Sequence, residues 1–374
     1  MRRKTCRSSP SLFLDDLLDK QFLYLGRDGA YVEVSPPQES IQGTQWWTSY
    51  QPVSYKLDSK LGTEAEFKNM IKQCNAVGVD IIADVVLNQT TGADVADGKQ
   101  TGVAGTEYNG STGDYRGFAT EQYPEGITAS DFHSCSKNIS NYTNQQEVQE
   151  CRLSSMWDFD SESEKVQDIQ SDYLAALWNA GVRGFRMDAV KHIHTDSMKA
   201  IKEKFAKKIG VNADSIYWIQ EVIGNSSEAA GIQPSNYVQN GTVTEFGFKS
   251  EMNQTFKDKI ANLKGLNERL SKDLASEDAN VFVTNWDTAR NEGALTYKDG
   301  AKYQLANAFM LAYDYGTPRL LSDYKWDEND NGAPGATATS VPDVNMDEVC
   351  STNSSDWNCE QRWTSTRGMI AFRN

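Results

Sequence analysis

Four stretches of the chain share one pattern, an apolar strand-like run that ends in a charged side chain. GVDIIADVVLN carries Asp84, GVRGFRMDAV carries Arg186 and Asp188, SIYWIQEVI carries Glu221, and ANVFVTNWDT carries Asp287. Residues i and i+2 of a strand point to the same side, so Arg186 and Asp188 would project into one space. A single Arg–Asp pair is also an ordinary surface feature. The recurrence of a charged side chain at four strand ends favours a (β/α)8 barrel, whose active face is built by the loops that follow the parallel strands.

Helical segments alternate with these strand-like runs. Thr63 followed by Glu66 predicts a capping box before the helical pattern EFKNMIKQCNAVG. Strand–helix alternation is the order of a parallel barrel. The rhythm is lost between residues 90 and 157, where Gly, Thr, Ser and Asn are frequent. We therefore predict barrel segments at 1–89 and 158–374, with an irregular inserted subdomain at 90–157 on the active face after the third barrel strand.

Length and charge bound the possible partners. The chain has 374 residues, enough for one large barrel with an insertion, and its net charge is −15. Such a surface repels phosphate backbones and anionic lipid, which argues against nucleic acid and membranes and favours a neutral small molecule or polymer. No apolar run has transmembrane length. Asp15 and Asp16 interrupt the apolar stretch near the basic N-terminus, so we expect no signal peptide.

The cysteines, in contrast to the N-terminus, indicate an oxidising environment. The chain has six cysteines, and its several Asn-X-Ser/Thr sequons also fit a secretory route. Cys135 with Cys151, and Cys350 with Cys359, each bracket a polar loop, which predicts two local disulfides. Neither pair has CxxC spacing, so a zinc site of that kind is not expected.

An aromatic loop, TQWWTSYQPVSY, follows the first strand-like run. It contains Trp46, Trp47, Tyr50 and Tyr55. Flat aromatic faces suit stacking on sugar rings, and a cluster that caps the core is equally compatible with the sequence.

Together these stretches resemble the α-amylase family of glycoside hydrolases, especially its calcium- and chloride-dependent animal-like members. The resemblance rests on DVVLNQ, GFRMDAVKH, the Glu221 strand end and FVTNWD, which occur in this order, with WWTSYQPVSY and YGTPR beside them. It implies a (β/α)8 TIM barrel. It also implies retaining endo-hydrolysis of α-1,4-glucosidic bonds in starch- or glycogen-like polysaccharides. We expect a secreted, monomeric protein.

The resemblance also assigns roles to site residues. Asp188 would be the nucleophile, Glu221 the general acid and base, and Asp287 a third carboxylate that binds sugar hydroxyls. Retaining hydrolysis requires a carboxylate and a carboxylic acid about 5 Å apart. Arg186 would keep Asp188 ionised, whereas Glu221 needs a raised pKa to act as an acid. The residues expected to line the glucan cleft are Trp46, Trp47, Tyr50, Gln51, Gln89, Arg186, Lys191 and Trp286.

Two ions are implied as well. Calcium would join the insertion to the barrel through oxygen ligands, which are the side chains of Asn88 and Asp158 and the backbone carbonyls of Gln149 and His192. Chloride would lie among two cations and an amide, namely Arg186, Asn285 and Arg319.

The chain departs from the family at four points. Gln89 and Trp286 stand where the family has histidines that hydrogen-bond the sugar at the cleavage point, and each lost contact would cost about 2 to 3 kcal/mol. No equivalent of the first barrel strand is recognisable before Gly29, and a C-terminal β domain is expected to be absent. A second function is therefore carried forward, a catalytically weak or inactive relative that binds glucans.

Overall fold

The structure, a computed structural model, describes residues 30–291, 293–350 and 356–373 of the chain. The predicted lack of a signal peptide concerns residues outside these ranges.

The described elements alternate between strands and helices. In chain order the strands are β1 (Ala30–Val34), β2 (Val79–Val85), β3 (Gln89–Gly92), β4 (Gln100–Thr101), β5 (Glu107–Tyr108), β6 (Met156–Asp158), β7 (Gly184–Met187), β8 (Tyr217–Gln220), β9 (Thr242–Glu245), β10 (Ala279–Phe282) and β11 (Thr317–Arg319). The α-helices are α1 (Glu64–Asn75), α2 (Gln145–Glu150), α3 (Glu164–Ala180), α4 (Thr195–Ile209), α5 (Phe246–Lys257), α6 (Leu266–Leu270), α7 (Trp286–Asn291), α8 (Ala301–Ala312), α9 (Met346–Val349) and α10 (Thr364–Arg373).

Seven of these strands form one curled parallel sheet. Its order is β1-β2-β7-β8-β9-β10-β11, and every neighbouring pair is parallel. The outer helices pack on one another, α3 on α4 and α8 on α10. The predicted (β/α)8 class is therefore confirmed as a partial barrel of seven described strands. The first and last strands of this order, β1 and β11, line a cavity of about 200 Å³, and Arg319 of β11 forms an ion pair with Glu33 of β1.

Local sequence explains how the helices begin and end. The predicted capping box of α1 is present, because the Thr63 side chain accepts from the Glu66 N–H and the Glu66 carboxylate accepts from the Thr63 N–H at 2.8 Å. Helix α3 ends at Gly181, whose φ of +109° is readily available only to glycine. A Cβ there would meet Ile71 Cγ2 at 2.7 Å. The close turn lets β7 start three residues later.

The segment between β2 and α3 has a hydrophobic cluster separate from the barrel core. Strand β3 pairs antiparallel with β6, with Gln89 opposite Asp158. An aromatic cluster of this segment packs onto α3. The members of the cluster include Tyr108, Tyr115, Phe118, Phe132 and Phe159. Both predicted disulfides, Cys135–Cys151 and Cys350–Cys359, are present. Within the described ranges, no helix combines the length and apolar character that a membrane span requires.

Candidate active site

The strand register creates a charged cluster at the end of the sheet. Asp84 on β2 lies opposite Arg186 on β7, which is only 2% exposed. Arg186 Nη1 donates to Asp84 Oδ1 at 2.8 Å and to Asp188 Oδ1 at 2.8 Å. Its Nη2 lies 2.5 Å from Glu221 Oε1. One guanidinium therefore binds three carboxylates that come from the ends of three neighbouring strands.

A strained turn brings Asp188 and Glu221 together. Ala189 follows Asp188 with a φ of +50°, in the left-handed region that few non-glycine residues adopt. In this conformation the Ala189 N–H donates to Glu221 Oε2 at 3.0 Å. The Glu221 N–H donates in turn to the Met187 carbonyl at 3.0 Å. The two carboxyl groups thus share one guanidinium and one backbone turn.

Burial controls the protonation of this cluster. It raises the pKa of Asp188 to about 8, with the charges of Glu221 and Asp84 adding to the effect and Arg186 opposing it. Arg186 lowers the pKa of Asp188, as expected, but burial raises it and is the larger effect. Burial also raises the pKa of Asp84 to about 6. Three carboxylates around one cation carry excess negative charge, and a bound proton relieves it.

Gln89 and Tyr50 contact the cluster from the first two loops. The Gln89 side-chain amide donates to Asp188 Oδ2 at 3.3 Å and to the Tyr50 carbonyl at 3.2 Å, while its own carbonyl oxygen is buried without a hydrogen-bond partner. The Tyr50 hydroxyl donates to Asp84 Oδ2 at 2.7 Å. Gln89 therefore binds the predicted nucleophile itself, a contact that the sequence did not indicate.

The residues after β10 approach the cluster differently. The Trp286 ring stacks on Tyr50 with centroids 6.3 Å apart, and the Arg186 guanidinium lies 5.3 Å from its centroid. Asp287 lies in the first turn of α7 and accepts from Asn291 at 2.6 Å. Asn285 caps this helix by accepting from the Thr288 N–H at 2.8 Å. The bulky Trp286 side chain thus lies against the charged cluster.

The remaining predicted cleft residues are held by neighbouring protein groups. Arg290 lies 5.6 Å from the Trp46 ring centroid, and the Trp46 indole N–H donates to the Asn329 carbonyl at 3.0 Å. The Trp47 indole donates to Asp330 at 3.1 Å. Both indole hydrogen bonds lie at the surface, and the two tryptophans are half-buried. Gln51 accepts from the Gly92 N–H at 3.2 Å, which ties this loop to β3.

Lys191 forms part of a separate group on the other side of the site. Its ammonium forms an ion pair with Glu228 and lies 5.3 Å from the Tyr142 ring centroid. Neither Glu228 nor Tyr142 was predicted from the sequence. Asp84 was recognised as a strand-end carboxylate but was given no role. Its pairing with Arg186 depends on strand register, which a single sequence does not supply.

The predicted calcium ligands lie where the insertion meets the barrel. Asp158 is 2% exposed, and its Oδ1 has no hydrogen-bond partner. Burial raises the pKa of Asp158 to about 7. The His192 ring is packed on the insertion, where its Nδ1 lies 2.9 Å from the Val148 carbonyl of α2. Gln149 of α2 and Asn88 after β2 are both buried. A buried, unpartnered carboxylate oxygen among amide and carbonyl groups fits a hard cation such as calcium.

The predicted chloride residues fit an anion less completely. Arg186 Nε is buried without a hydrogen-bond partner, as a donor reserved for a small anion would be. Asn285 and Arg319 both line the 200 Å³ cavity beside β11. Arg319, however, is already paired with Glu33. Arg186 therefore offers an available N–H donor to an anion, whereas the charge of Arg319 is neutralised by Glu33.

The fold and the site define a (β/α)8-barrel protein whose active face gathers carboxylates around an arginine. The family model described as "Alpha amylase, catalytic domain" matches residues 34–320. The alpha-amylases of Streptomyces violaceus and Aeromonas hydrophila are 38% and 40% identical, each over 92% of this chain, and it covers 55% and 71% of them. Pancreatic alpha-amylase 2a5 of Mus musculus is 35% identical over 92% of this chain and 70% of its own.

Solved structures agree with these sequence comparisons. Alpha-amylase I from Eisenia fetida superposes with a TM-score of 0.81 at 32% identity, covering 92% of this chain and 72% of its own. A variant of that protein was solved in complex with maltohexaose. The chain belongs to the alpha-amylase catalytic-domain family, which confirms the predicted family. It spans about half the length of the Streptomyces relative.

Proposed function

We propose that the protein is a retaining α-amylase that cleaves internal α-1,4-glucosidic bonds of starch- or glycogen-like glucans. The carrying observation is the binding of Asp188 and Glu221 to one buried Arg186. Two carboxyl groups held side by side on a shared cation can divide one proton between them, and this pairing of acid and base is what retaining hydrolysis requires.

In this proposal Asp188 attacks the anomeric carbon while Glu221 protonates the leaving glycosidic oxygen. Water then hydrolyses the glycosyl–Asp188 ester with Glu221 acting as the base. The Ala189 N–H fixes Glu221 Oε2, and Gln89 orients Asp188. Asp287 would bind sugar hydroxyls after exchanging its hydrogen bond with Asn291. Trp46, Trp47, Tyr50, Gln51, Lys191 and Trp286 would line the glucan cleft.

Two ions belong to the proposal. Calcium would be held by Asn88, Asp158 and the backbone carbonyls of Gln149 and His192, and it would supply a tie between the insertion and the barrel. Chloride would be held by Arg186 Nε and Asn285, with Arg319 joining them only if it leaves Glu33. Secretion is supported by the two disulfides, and the proposal takes the protein to be a monomer.

A second function, glucan binding without efficient hydrolysis, is favoured by one observation. The Trp286 ring lies against both Tyr50 and Arg186, beside the groups that must contact the distorted sugar. A bulky ring in that position would hinder the transition state more than ground-state binding.

Release of reducing ends from soluble starch tests the proposal. The full chain should release them in the presence of calcium and chloride, and Asp188→Asn should lose activity by on the order of 10⁴-fold. Retention of both proteins on a starch gel should stay similar, because the substitution removes the reacting atom and keeps the shape. Equal release by both proteins would contradict the hydrolase, and equal retention without any release would establish the binding function.

A further inference from the structure

Two of the three histidines in the chain converge on one glutamate. Glu162 follows β6, and its Oε2 lies 3.0 Å from His133 Nε2 while its Oε1 lies 3.0 Å from His194 Nε2. Asp160 Oδ1 lies 3.8 Å from His133 Nε2. His133 belongs to the insertion and His194 precedes α4 of the barrel. The group therefore brings nitrogen and oxygen donors from three segments into one place.

Donor spacing among His133, Asp160 and Glu162 matches a small metal ion. Two ligands held about 2.0 to 2.1 Å from one tetrahedral Zn²⁺ are about 3.3 Å apart. The spacings from His133 Nε2, 3.0 Å to Glu162 and 3.8 Å to Asp160, lie on either side of that value. The donor atoms of His133, Asp160 and Glu162 all lie within 4.8 Å of one another. Glu162 is 43% exposed in its side chain, so it can turn to admit an ion.

His133 is also oriented as a metal ligand would be. Its Nδ1 is hydrogen-bonded to Asp158 Oδ2 at 2.7 Å, and its side chain is 13% exposed. A carboxylate on one ring nitrogen fixes the tautomer and presents the other nitrogen, as in carboxylate–histidine–zinc arrangements. Asp158 itself is almost fully buried and keeps its Oδ1 without a hydrogen-bond partner. The orientation of His133 is thus set from inside the protein rather than by the surface carboxylates alone.

We propose that His133, His194, Glu162 and Asp160 form a transition-metal site that takes Zn²⁺ and joins the insertion to α4. Imidazole nitrogens suit Zn²⁺, whereas the proposed calcium site offers oxygen donors only. Binding replaces the proton shared between Nε2 and the carboxylate and releases it to solvent. The site is separate from the reacting carboxylates, so the proposal does not depend on amylase activity.

Zinc titration into the full chain, with calcium in excess, tests the site. Calorimetry should give one Zn²⁺ per chain in the micromolar range, and His133→Gln with His194→Gln should abolish binding. Glu203→Gln removes an exposed charge from α4 and should leave binding unchanged. Zinc should also raise Tm and slow proteolysis of the insertion in the parent chain but not in the double variant.

X-ray absorption of the zinc-loaded parent chain needs no variant. Two imidazoles per zinc, with nitrogen and oxygen ligands at about 2.0 Å, would support the proposal. The third histidine of the chain, His192, is buried against the Val148 carbonyl, so the two imidazoles would be those of His133 and His194. A sulfur ligand, fewer than two imidazoles, or no binding in excess calcium would overturn it.

Discussion

The two halves of the candidate active site are built in different ways. On the side of β2, β7 and β8, three carboxylates bind Arg186, and each comes directly from a strand end. On the side of β10 and β11, Asp287 starts a helix and accepts from Asn291, and the Trp286 ring covers the space beside Tyr50. The second half also borders the cavity between β1 and β11.

This difference shows that strand pairing fixes the charged half and that a loop-to-helix transition sets the other. Parallel ladders on both sides of β7 leave Arg186 little freedom, so its partners are determined once the register is formed. Trp286 and Asp287 depend instead on how Asn285 caps α7. The positions of the side chains in the charged half should therefore tolerate substitutions nearby. The positions of Trp286 and Asp287 should be more sensitive to them.

The largest expected effect comes from removing the central cation. Arg186→Leu leaves Asp84, Asp188 and Glu221 buried without compensation and should lower the free energy of unfolding by about 3 to 5 kcal/mol near neutral pH. Arg269→Leu is the control, because its pair with Glu251 is partly exposed and should contribute much less to stability. Urea denaturation of both variants measures the difference. Similar losses would mean that Arg186 is not the centre of the charged half.

Much of the charged half could be predicted from the sequence. The i, i+2 spacing of Arg186 and Asp188 on a strand predicted that both would face one space, and they do bind each other. The four strand ends and both disulfides also followed from local patterns. Strand neighbours did not, because pairing of Asp84 with Arg186 depends on contacts across 102 residues.

The second half was harder to predict for the same physical reason. The contacts of Trp46 were not predicted, because Arg290, which lies over its ring, and Asn329, which accepts from its indole, are both remote in sequence. The raised pKa of Asp188 was also not predicted. The sequence indicates a cation near this carboxylate, but it does not show how strongly burial desolvates the carboxylate.

Restoring a histidine in each half, at Gln89 and at Trp286, should raise the rate. Trp286→His with Gln89→His should increase kcat by about tenfold or more, because each histidine would add a contact made mainly in the transition state. Trp286→His alone should give most of the gain, since it also removes the ring beside Arg186, whereas Gln89 already donates to Asp188. Glucan affinity should stay similar or weaken.

Starch hydrolysis by the two single variants and the double variant measures this effect. Asp188→Asn in the double background is the control and should remain inactive. A folded double variant that is no faster than this control would place the defect outside the two positions and would support glucan binding as the function.

Chelation should act on the charged half only. Calcium at Asp158 and Asn88 would anchor the loop that carries Gln89, so EGTA should lower Tm by several degrees and expose residues 92–157 to protease. Bound ligand at a hundred times its Kd contributes about 2.7 kcal/mol. The Tm of Asp158→Asn should no longer respond to calcium. If the parent chain melts at the same temperature with and without EGTA, the ion does not tie these residues together.

The smallest expected effect is a pH-dependent stability difference at Asp188. Its pKa in the folded protein is about 8, mainly because of burial and then the charges of Glu221 and Asp84, against an ordinary value of 3.8. Because the folded pKa is raised, the protonated carboxyl favours folding, and this contribution is lost as the pH rises from about 4 through about 8. Asparagine never ionises. Asp188→Asn should therefore gain stability over the parent chain as the pH rises from 5 to 8.

Thermal unfolding at both pH values tests this sign, with the exposed substitution Glu203→Gln as the control. A constant difference for Asp188→Asn would mean that Arg186 compensates Asp188 fully, as the sequence alone suggested. The predicted change would instead identify Asp188 as a residue that destabilises the folded protein in its ionised form. Such a cost is expected where a carboxylate is buried for chemistry rather than for stability.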